Sequence, residues 1–187
     1  NLLFSGEPHK DLFSYSYSKR SMAVQIDSYN KRFKTKYNYI IPCNLYGEFD
    51  KFDAIQGHFV GALINKIIQA KKKNEKYIKL FGDGKPKRQF MHAQDLAKVI
   101  SMIVKKNISE SFNVATIENY SVKKIAKIAL EVCDFKNAKI HFVKSMPNGQ
   151  MRKDIDIKKL NKIFPNFNPI LLKDGIREIY LKKMKEV

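Results

Sequence analysis

Glycine is sparse in this chain, eight in 187 residues, and none of it forms a G-x-G-x-x-G or G-x-x-G-x-x-G fingerprint after an N-terminal strand. Gly82-Asp-Gly84 lacks the third glycine and a following helix. Gly84-Lys85-Pro86 fails as a phosphate loop because proline replaces the serine or threonine. These residues therefore offer no glycine-rich cradle for a diphosphate. Cysteine is limited to Cys43 and Cys133, both in apolar surroundings and outside any C-x-x-C. That excludes a disulfide framework and suits a reducing compartment. Long apolar runs are missing too: residues 96–104 are broken by charge and fall short of the ~18 residues a membrane span requires. The opening residues lack the basic n-region and cleavage site of a signal peptide. The expectation is a cytoplasmic protein with no membrane partner.

Acidic residues are also in deficit, 18 against 36 basic ones, for a formal charge of +18. All but five of the basic residues are lysine. Such a surface attracts nucleic acid, an anionic membrane or a phosphorylated small molecule. The lysines, however, are scattered through nearly every segment, as in Lys71-Lys72-Lys73 and Lys182-Lys183, which reads as solvated helix faces. No aromatic-rich sheet motif, zinc-finger spacing or recognition-helix pattern accompanies them, so nucleic acid is not the expected partner. A non-catalytic basic module that binds nucleic acid stays as the rival of a different class. His9, His92 and His141 have no ligand-like spacing with each other or with acidic residues, and no metal is expected.

What the chain does contain is 44% apolar residues and thirteen phenylalanines, enough for one sizeable core or two small ones. Apolar or aromatic residues at Tyr15, Met22, Ala23, Ile26 and Tyr29 follow a helical period, predicting a helix over 15–33. Residues 37–44 read as a buried strand that runs into a turn-prone Asn-Leu-Tyr-Gly47, the kind of position where α/β sheets hold ligands. Helices follow over 59–70, over 95–104 with Asp95 as its cap, and over 121–132 with Ser121 as its cap. A short helix is expected over 156–163 and a final one over 171–185. Strands are expected over 77–81, 88–92, 112–115 and 140–143, with a turn at 82–86 and a loop around 146–149. Alternating strands and helices make the class α/β.

Within the first helix, Tyr15-Ser-Tyr-Ser-Lys19 places a phenol and an ammonium at i and i+4, on one helix face. A phenol with its ordinary pKa near ~10 is a weak acid at neutral pH, and an adjacent cation favours the phenolate. Oxidoreductases use such a pair to protonate a carbonyl. In so lysine-rich a chain the spacing also arises by chance, and Tyr120-Ser-Val-Lys-Lys124 repeats it. There Tyr120 precedes the Ser121 cap, so that pair is not expected to share a helix face.

Five motifs follow in order: Tyr15-Ser-Tyr-Ser-Lys19, Pro42-Cys-Asn-Leu-Tyr-Gly47, Gly57-His58-Phe-Val-Gly-Ala-Leu63, Phe81-Gly-Asp-Gly-Lys-Pro-Lys-Arg88-Gln-Phe-Met-His92 with Asp95-Leu-Ala97, and Phe112-Asn-Val-Ala115. Together they resemble the extended short-chain dehydrogenase/reductase (NAD-dependent epimerase/dehydratase) family, and within it the GDP-L-fucose synthase group. The resemblance implies the C-terminal part of a Rossmann-type doubly wound parallel sheet (residues 1–50 and 90–117) plus a smaller α/β sugar-nucleotide domain (51–89 and 118–187). It implies a 3,5-epimerase-4-reductase acting on GDP-4-keto-6-deoxymannose with NADP, or NAD, to make a deoxysugar for surface polysaccharide. A related GDP-sugar reductase or epimerase, for example of a heptose, is the rival within enzymes.

Residue by residue, the resemblance implies that Tyr15 protonates the C4 oxygen and that Lys19 binds the nicotinamide ribose. Pro42, Cys43, Asn44 and Leu45 match the loop along the nicotinamide. His58 matches the general acid of epimerisation, in reach of the cofactor, and Arg88 matches a diphosphate-binding arginine. Asp156 matches a substrate-binding aspartate. Lys66 stands where the family has a second phosphate-side arginine, and Phe81 where it has a substrate-contacting tryptophan. Lysine keeps the charge without the planar fork, and phenylalanine can stack without an N–H donor. The family's assisting serine, its cysteine base, its glycine-rich loop and its NAD/NADP selector are expected in a preceding half of roughly 120 residues. A homodimer through the Tyr15 helix is likewise implied.

Overall fold

The computed structural model describes residues 3–53 and 56–186; Asn1 and Leu2 of the opening segment lie outside them. After a 3-10 turn at Lys10–Leu12, α1 runs over Phe13–Phe33 and ends on Lys34 in the left-handed region, φ 55°. Lys31 and Arg32 occupy its last turn, where cations offset the exposed carbonyls. It starts two residues earlier than the periodicity predicts. Only Ala23 of α1 is buried, and Tyr15, Met22, Val24, Tyr29 and Phe33 are all more than half exposed.

The single strand expected over 37–44 is two strands, β1 (Ile40–Pro42) and β2 (Asn44–Tyr46). Pro42 has no N–H to give, and at Cys43 the chain donates its amide to the Val114 carbonyl, 2.9 Å, before changing neighbours. Thus β1 pairs in parallel with β5 (Phe112–Val114), while β2 pairs in parallel with β4 (Lys87–His92). On its other edge β4 pairs antiparallel with β6 (Asn119–Ser121), a strand too short and polar for its pattern to announce. A third ribbon joins β3 (Tyr77–Phe81) in parallel to β7 (Lys139–Val143). Tyr120 lies in β6, off the helix that holds Lys124, as its place before the cap implied.

The other helices are α2 (Phe59–Lys72), α3 (Ala93–Lys105), α4 (Val122–Val132), α5 (Lys158–Ile163) and α6 (Leu172–Lys185). Ser121 caps α4 as expected, its hydroxyl accepting from the Lys124 amide at 3.1 Å. Asp95 does not cap α3. His92 does so instead, Nδ1 accepting from the Gln94 amide at 3.3 Å. Asp95 is wholly buried and acts over a longer range. Its Oδ2 accepts from the Ile170 amide at 2.7 Å, and Oδ1 pairs with Lys98 at 3.1 Å. Among the described residues no helix is long and apolar enough to cross a membrane.

Two apolar clusters form the interior. In the first, α2 contributes Val60, Leu63, Ile64, Ile67 and Ile68 at the i, i+3, i+4, i+7, i+8 spacing of one helix face. It packs with Ile125 and Leu130 of α4, Ile176 and Ile179 of α6, and Ile78 and Leu80 of β3. The second gathers Met91, Val99, Ile103, Phe112, Val114, Leu160 and Phe164 from β4, α3, β5 and the α5 region. Adjacent residues of β4 point to opposite faces, so Phe90 feeds the first cluster and Met91 the second.

The last helix is seated on β2. A Cβ at Gly175 would lie 2.2 Å from the Tyr46 hydroxyl oxygen, and Tyr46 itself meets His92 edge to face at 5.2 Å. Beside it Lys182 of α6 is paired with Glu48 in the loop after β2, and with Glu178 at 2.9 Å. In an exposed helix, glycine to alanine stabilises by about 1 kcal/mol. Here the sign reverses: Gly175→Ala is expected to destabilise by about 1–3 kcal/mol through overpacking against Tyr46. Urea unfolding checks it, and a variant as stable as the parent contradicts the packing described.

Candidate active site

Two cavities adjoin the C-terminal ends of β1 and β2. The first, about 850 Å³, lies between α1 and the β1–β2 crossing and is lined by Tyr15, Lys19, Pro42, Cys43, Asn44 and Ile155 among others. Tyr15 and Lys19 project from adjacent turns of α1, with the Lys19 ammonium 5.6 Å from the Tyr15 ring centroid. That is cation–π distance, and the phenol remains 64% exposed, open to a ligand. Cys43 is buried behind this face; loss of hydration pushes its thiol up to about 11. The thiol therefore stays protonated and shapes the wall without acting as a nucleophile.

The second cavity, about 840 Å³, opens on the other side of β2. Its walls include Asn44, Leu45, His58, Lys66, Phe81 and Arg88. Lys66 lies over the Phe81 ring, 4.9 Å from its centroid, and donates to the Lys79 carbonyl at 3.1 Å. Arg88 donates to the Lys87 carbonyl at 2.7 Å through one guanidinium nitrogen. Burial lowers the pKa of both cations, because each has lost part of its water shell without gaining a carboxylate. An anion entering between them would restore what burial removed. His58, at the N-terminus of α2, is exposed, and its Nδ1 lies 2.8 Å from Oδ1 of Asp50.

Asn44 lines both cavities, and its side-chain amide donates to the Gln89 carbonyl at 3.0 Å. The expected residues thus sort into two groups that meet at one asparagine: Tyr15, Lys19, Pro42 and Cys43 on one side, Leu45, His58, Lys66, Phe81 and Arg88 on the other. Asp156 joins neither wall. It is exposed, and its carboxylate accepts from the Lys158 amide at 2.8 Å at the start of α5. The arrangement sets a phenol and ammonium in one cavity and an imidazole in the other, with Asn44 common to both and a cation–aromatic pair in the second wall.

Sequence reasoning missed several of the residues that shape these walls. Asn148 and Pro147 line the second cavity, held there because the Asp83 amide donates to the Asn148 side chain at 2.7 Å. A Pro-Asn-Gly turn signals a loop but not the partner 65 residues away. Asp50 gave no periodic signal of its own. His92 and Tyr46 also line the second cavity from its buried floor, where burial lowers the histidine pKa and, together with the Asp95 charge, raises that of the phenol.

Parallel strands flanked by helices, with both cavities at the strand ends, define a Rossmann-like α/β protein, and solved structures agree. A GDP-L-fucose synthetase from Naegleria fowleri bound to NADP superposes with a TM-score of 0.88 at 24% identity, covering 98% of this chain and 59% of that one. A GDP-mannoheptose C4 reductase from Campylobacter jejuni with NADP bound gives 0.80 at 23%, over 97% and 62%. Residues 4–115 match the NAD-dependent epimerase/dehydratase family model, and the chain belongs to that family. Among curated relatives, GDP-L-fucose synthase of Dictyostelium discoideum is 30% identical over 180 residues, 95% of this chain and 56% of the relative. GDP-L-colitose synthase of Yersinia pseudotuberculosis is 30% identical over 94% of this chain and 58% of its own length. The chain spans about half the length of the curated relatives it matches.

The Cys43 environment is directly testable. A thiol near 11 rather than the ordinary 9.0 carries about one hundredth of the thiolate at pH 8, so labelling of Cys43 by iodoacetamide is expected to be at least ~100-fold slower than in the urea-unfolded chain. Mass spectrometry of time-quenched samples reads the rate; equal labelling in both states contradicts the buried thiol.

Proposed function

We propose that the protein carrying this chain is an NADP-dependent sugar-nucleotide epimerase/reductase of the GDP-L-fucose synthase kind, converting GDP-4-keto-6-deoxymannose in the cytoplasm. The observation that carries this reading is the meeting of the two cavities at Asn44, with a Tyr–Lys pair on one side and an imidazole on the other. The residues present fit the nicotinamide end of the cofactor: an exposed phenol and ammonium face the apolar wall of Pro42 and Cys43. Among the described residues there is no glycine-rich cradle for the cofactor's own diphosphate. When bound, the reduced nicotinamide supplies a hydride to C4 of the sugar.

The chain's own groups supply the rest. Tyr15 delivers a proton to the C4 oxygen, and Lys19 stabilises the negative charge left on the phenol while holding the cofactor ribose. Asn44 fixes the boundary at which cofactor and sugar meet. His58 returns a proton to C3 or C5 after a base supplied from outside these residues has removed one. Lys66 and Arg88 take the diphosphate, and Phe81 offers a stacking face for the base or sugar. Asp156, exposed at the start of α5, is assigned as a substrate contact on the family match alone.

Relatives named for fucose and for colitose match at the same identity, and Lys66 and Phe81 replace the arginine and tryptophan of the family pattern. A related GDP-sugar is therefore the second reading. Incubating the full-length protein with NADPH and a panel of GDP-4-keto sugars separates the two. GDP-4-keto-6-deoxymannose is expected to drive NADPH oxidation and give GDP-L-fucose, and no turnover with it would sink the narrow claim. Tyr15→Phe is expected to lower turnover by about 10²–10⁴-fold with nucleotide binding retained; unchanged turnover would remove Tyr15 from the mechanism.

The exposed aromatic face of α1 supports a homodimer built on that helix. Light scattering on the full-length protein is expected to give twice the monomer mass. A Met22→Glu, Tyr29→Glu variant is expected to give the monomer mass, and a dimer that survives both changes would place the contact elsewhere.

A further inference from the structure

His58 has a partner that the family pattern does not bring forward. The loop after β2 folds back over the start of α2, and it can lie so close only because positions 57 and 61 lack a Cβ. A Cβ on Gly57 would stand 2.3 Å from the Lys51 carbonyl oxygen and 2.4 Å from that of Asp53, and one on Gly61 would stand 3.2 Å from the former. This approach carries the Asp50 carboxylate into the first turn of α2. There Oδ1 lies 2.8 Å from His58 Nδ1 and accepts from the Lys51 amide at 2.8 Å.

The two side chains are unequally placed. His58 is 81% exposed and Asp50 only 11%, so the carboxylate is fixed and the ring is not, except through this bond. Among the described residues, Asp50 Oδ2 is buried with no hydrogen-bond partner. A carboxylate held this way, part-desolvated and with one oxygen unused, is not a surface ion pair; its one side-chain partner is the imidazole.

We infer that Asp50 is a positioning residue for the proton-donating step, holding His58 with Nδ1 protonated and Nε2 turned to the cavity. The inference rests on the reading of His58 as the acid of epimerisation. In that step the Nε2–H bond breaks as a C–H bond forms at the carbanionic sugar carbon. The electron pair of the broken bond stays on the ring, which becomes a neutral imidazole still donating Nδ1–H to Asp50. Asp50 takes no proton, and solvent recharges Nε2 across the exposed face. Without the carboxylate, an exposed ring would populate several rotamers and both neutral tautomers.

Solvent-deuterium incorporation at C3 and C5 of GDP-4-keto-6-deoxymannose, measured in the full-length protein, tests this. Asp50→Asn is expected to slow incorporation by about 10- to 100-fold, a portion of what a positioned acid supplies, with KM and melting temperature near those of the parent. Asp50→Glu keeps the charge at the helix start and is expected to recover part of the rate. Incorporation at the parental rate in Asp50→Asn, while His58→Asn abolishes it, overturns the positioning role and leaves the acid assignment standing. A raised KM or a loss that tracks lowered melting temperature overturns it in favour of a loop-bracing role. Parental incorporation in His58→Asn removes the acid assignment and the inference together.

Discussion

Strand β4 is the element on which the remainder depends, and the buried amide of Gln89 is its fastener. The side chain donates to the Thr116 carbonyl at 2.8 Å and accepts from the Ile155 amide at 2.7 Å, tying two returning segments to one strand. Its own carbonyl receives the Asn44 side chain. Leaving such buried groups unpaired costs on the order of 1–3 kcal/mol each, so the three segments are held in one register relative to β4. Because Phe90 and Met91 then enter different cores, sliding this strand by one residue would turn both cores inside out.

The site inherits its rigidity from that arrangement. Asn44 sits on the first residue of β2, clamped to β4, so the point where the two cavities meet is part of the sheet and not of a loop. The groups that must adapt to ligands lie outward of it: Tyr15 and Lys19 on a helix with one buried residue, Phe81 half exposed at a strand end, and His58 at a helix start. The net positive charge adds a long-range pull on anions, and Lys66 and Arg88 set two partly desolvated cations on the wall of the second cavity.

Several helices were legible because they carry a clear apolar period, and the limits of α2, α4 and α6 were read to within two residues. Local punctuation was readable too: Ser121 is a cap by chemistry alone. What escaped was set by distant partners. The division of β1 from β2 at Cys43 arises from a change of neighbouring strand, and β6 exists because β4 offers it an edge. Asp95 looked like a cap because aspartate commonly is one; its carboxylate instead meets an amide 75 residues away. The motif order in the sequence brought ten of the candidate residues to the two cavities, whereas Asp156, carried by a weaker match, stands on the outside.

Glu48 and Lys182 are separated by 134 positions, and with Gly175 against Tyr46 they join α6 to the loop beside the second cavity. Contacts of such span close late, since the chain between them must be ordered first. On a ribosome Lys182 emerges 134 residues after Glu48, so this side of the cavity gains its buttress only when α6 is clear of the exit. Until then the loop that carries Asp50 has its helix start but not its buttress.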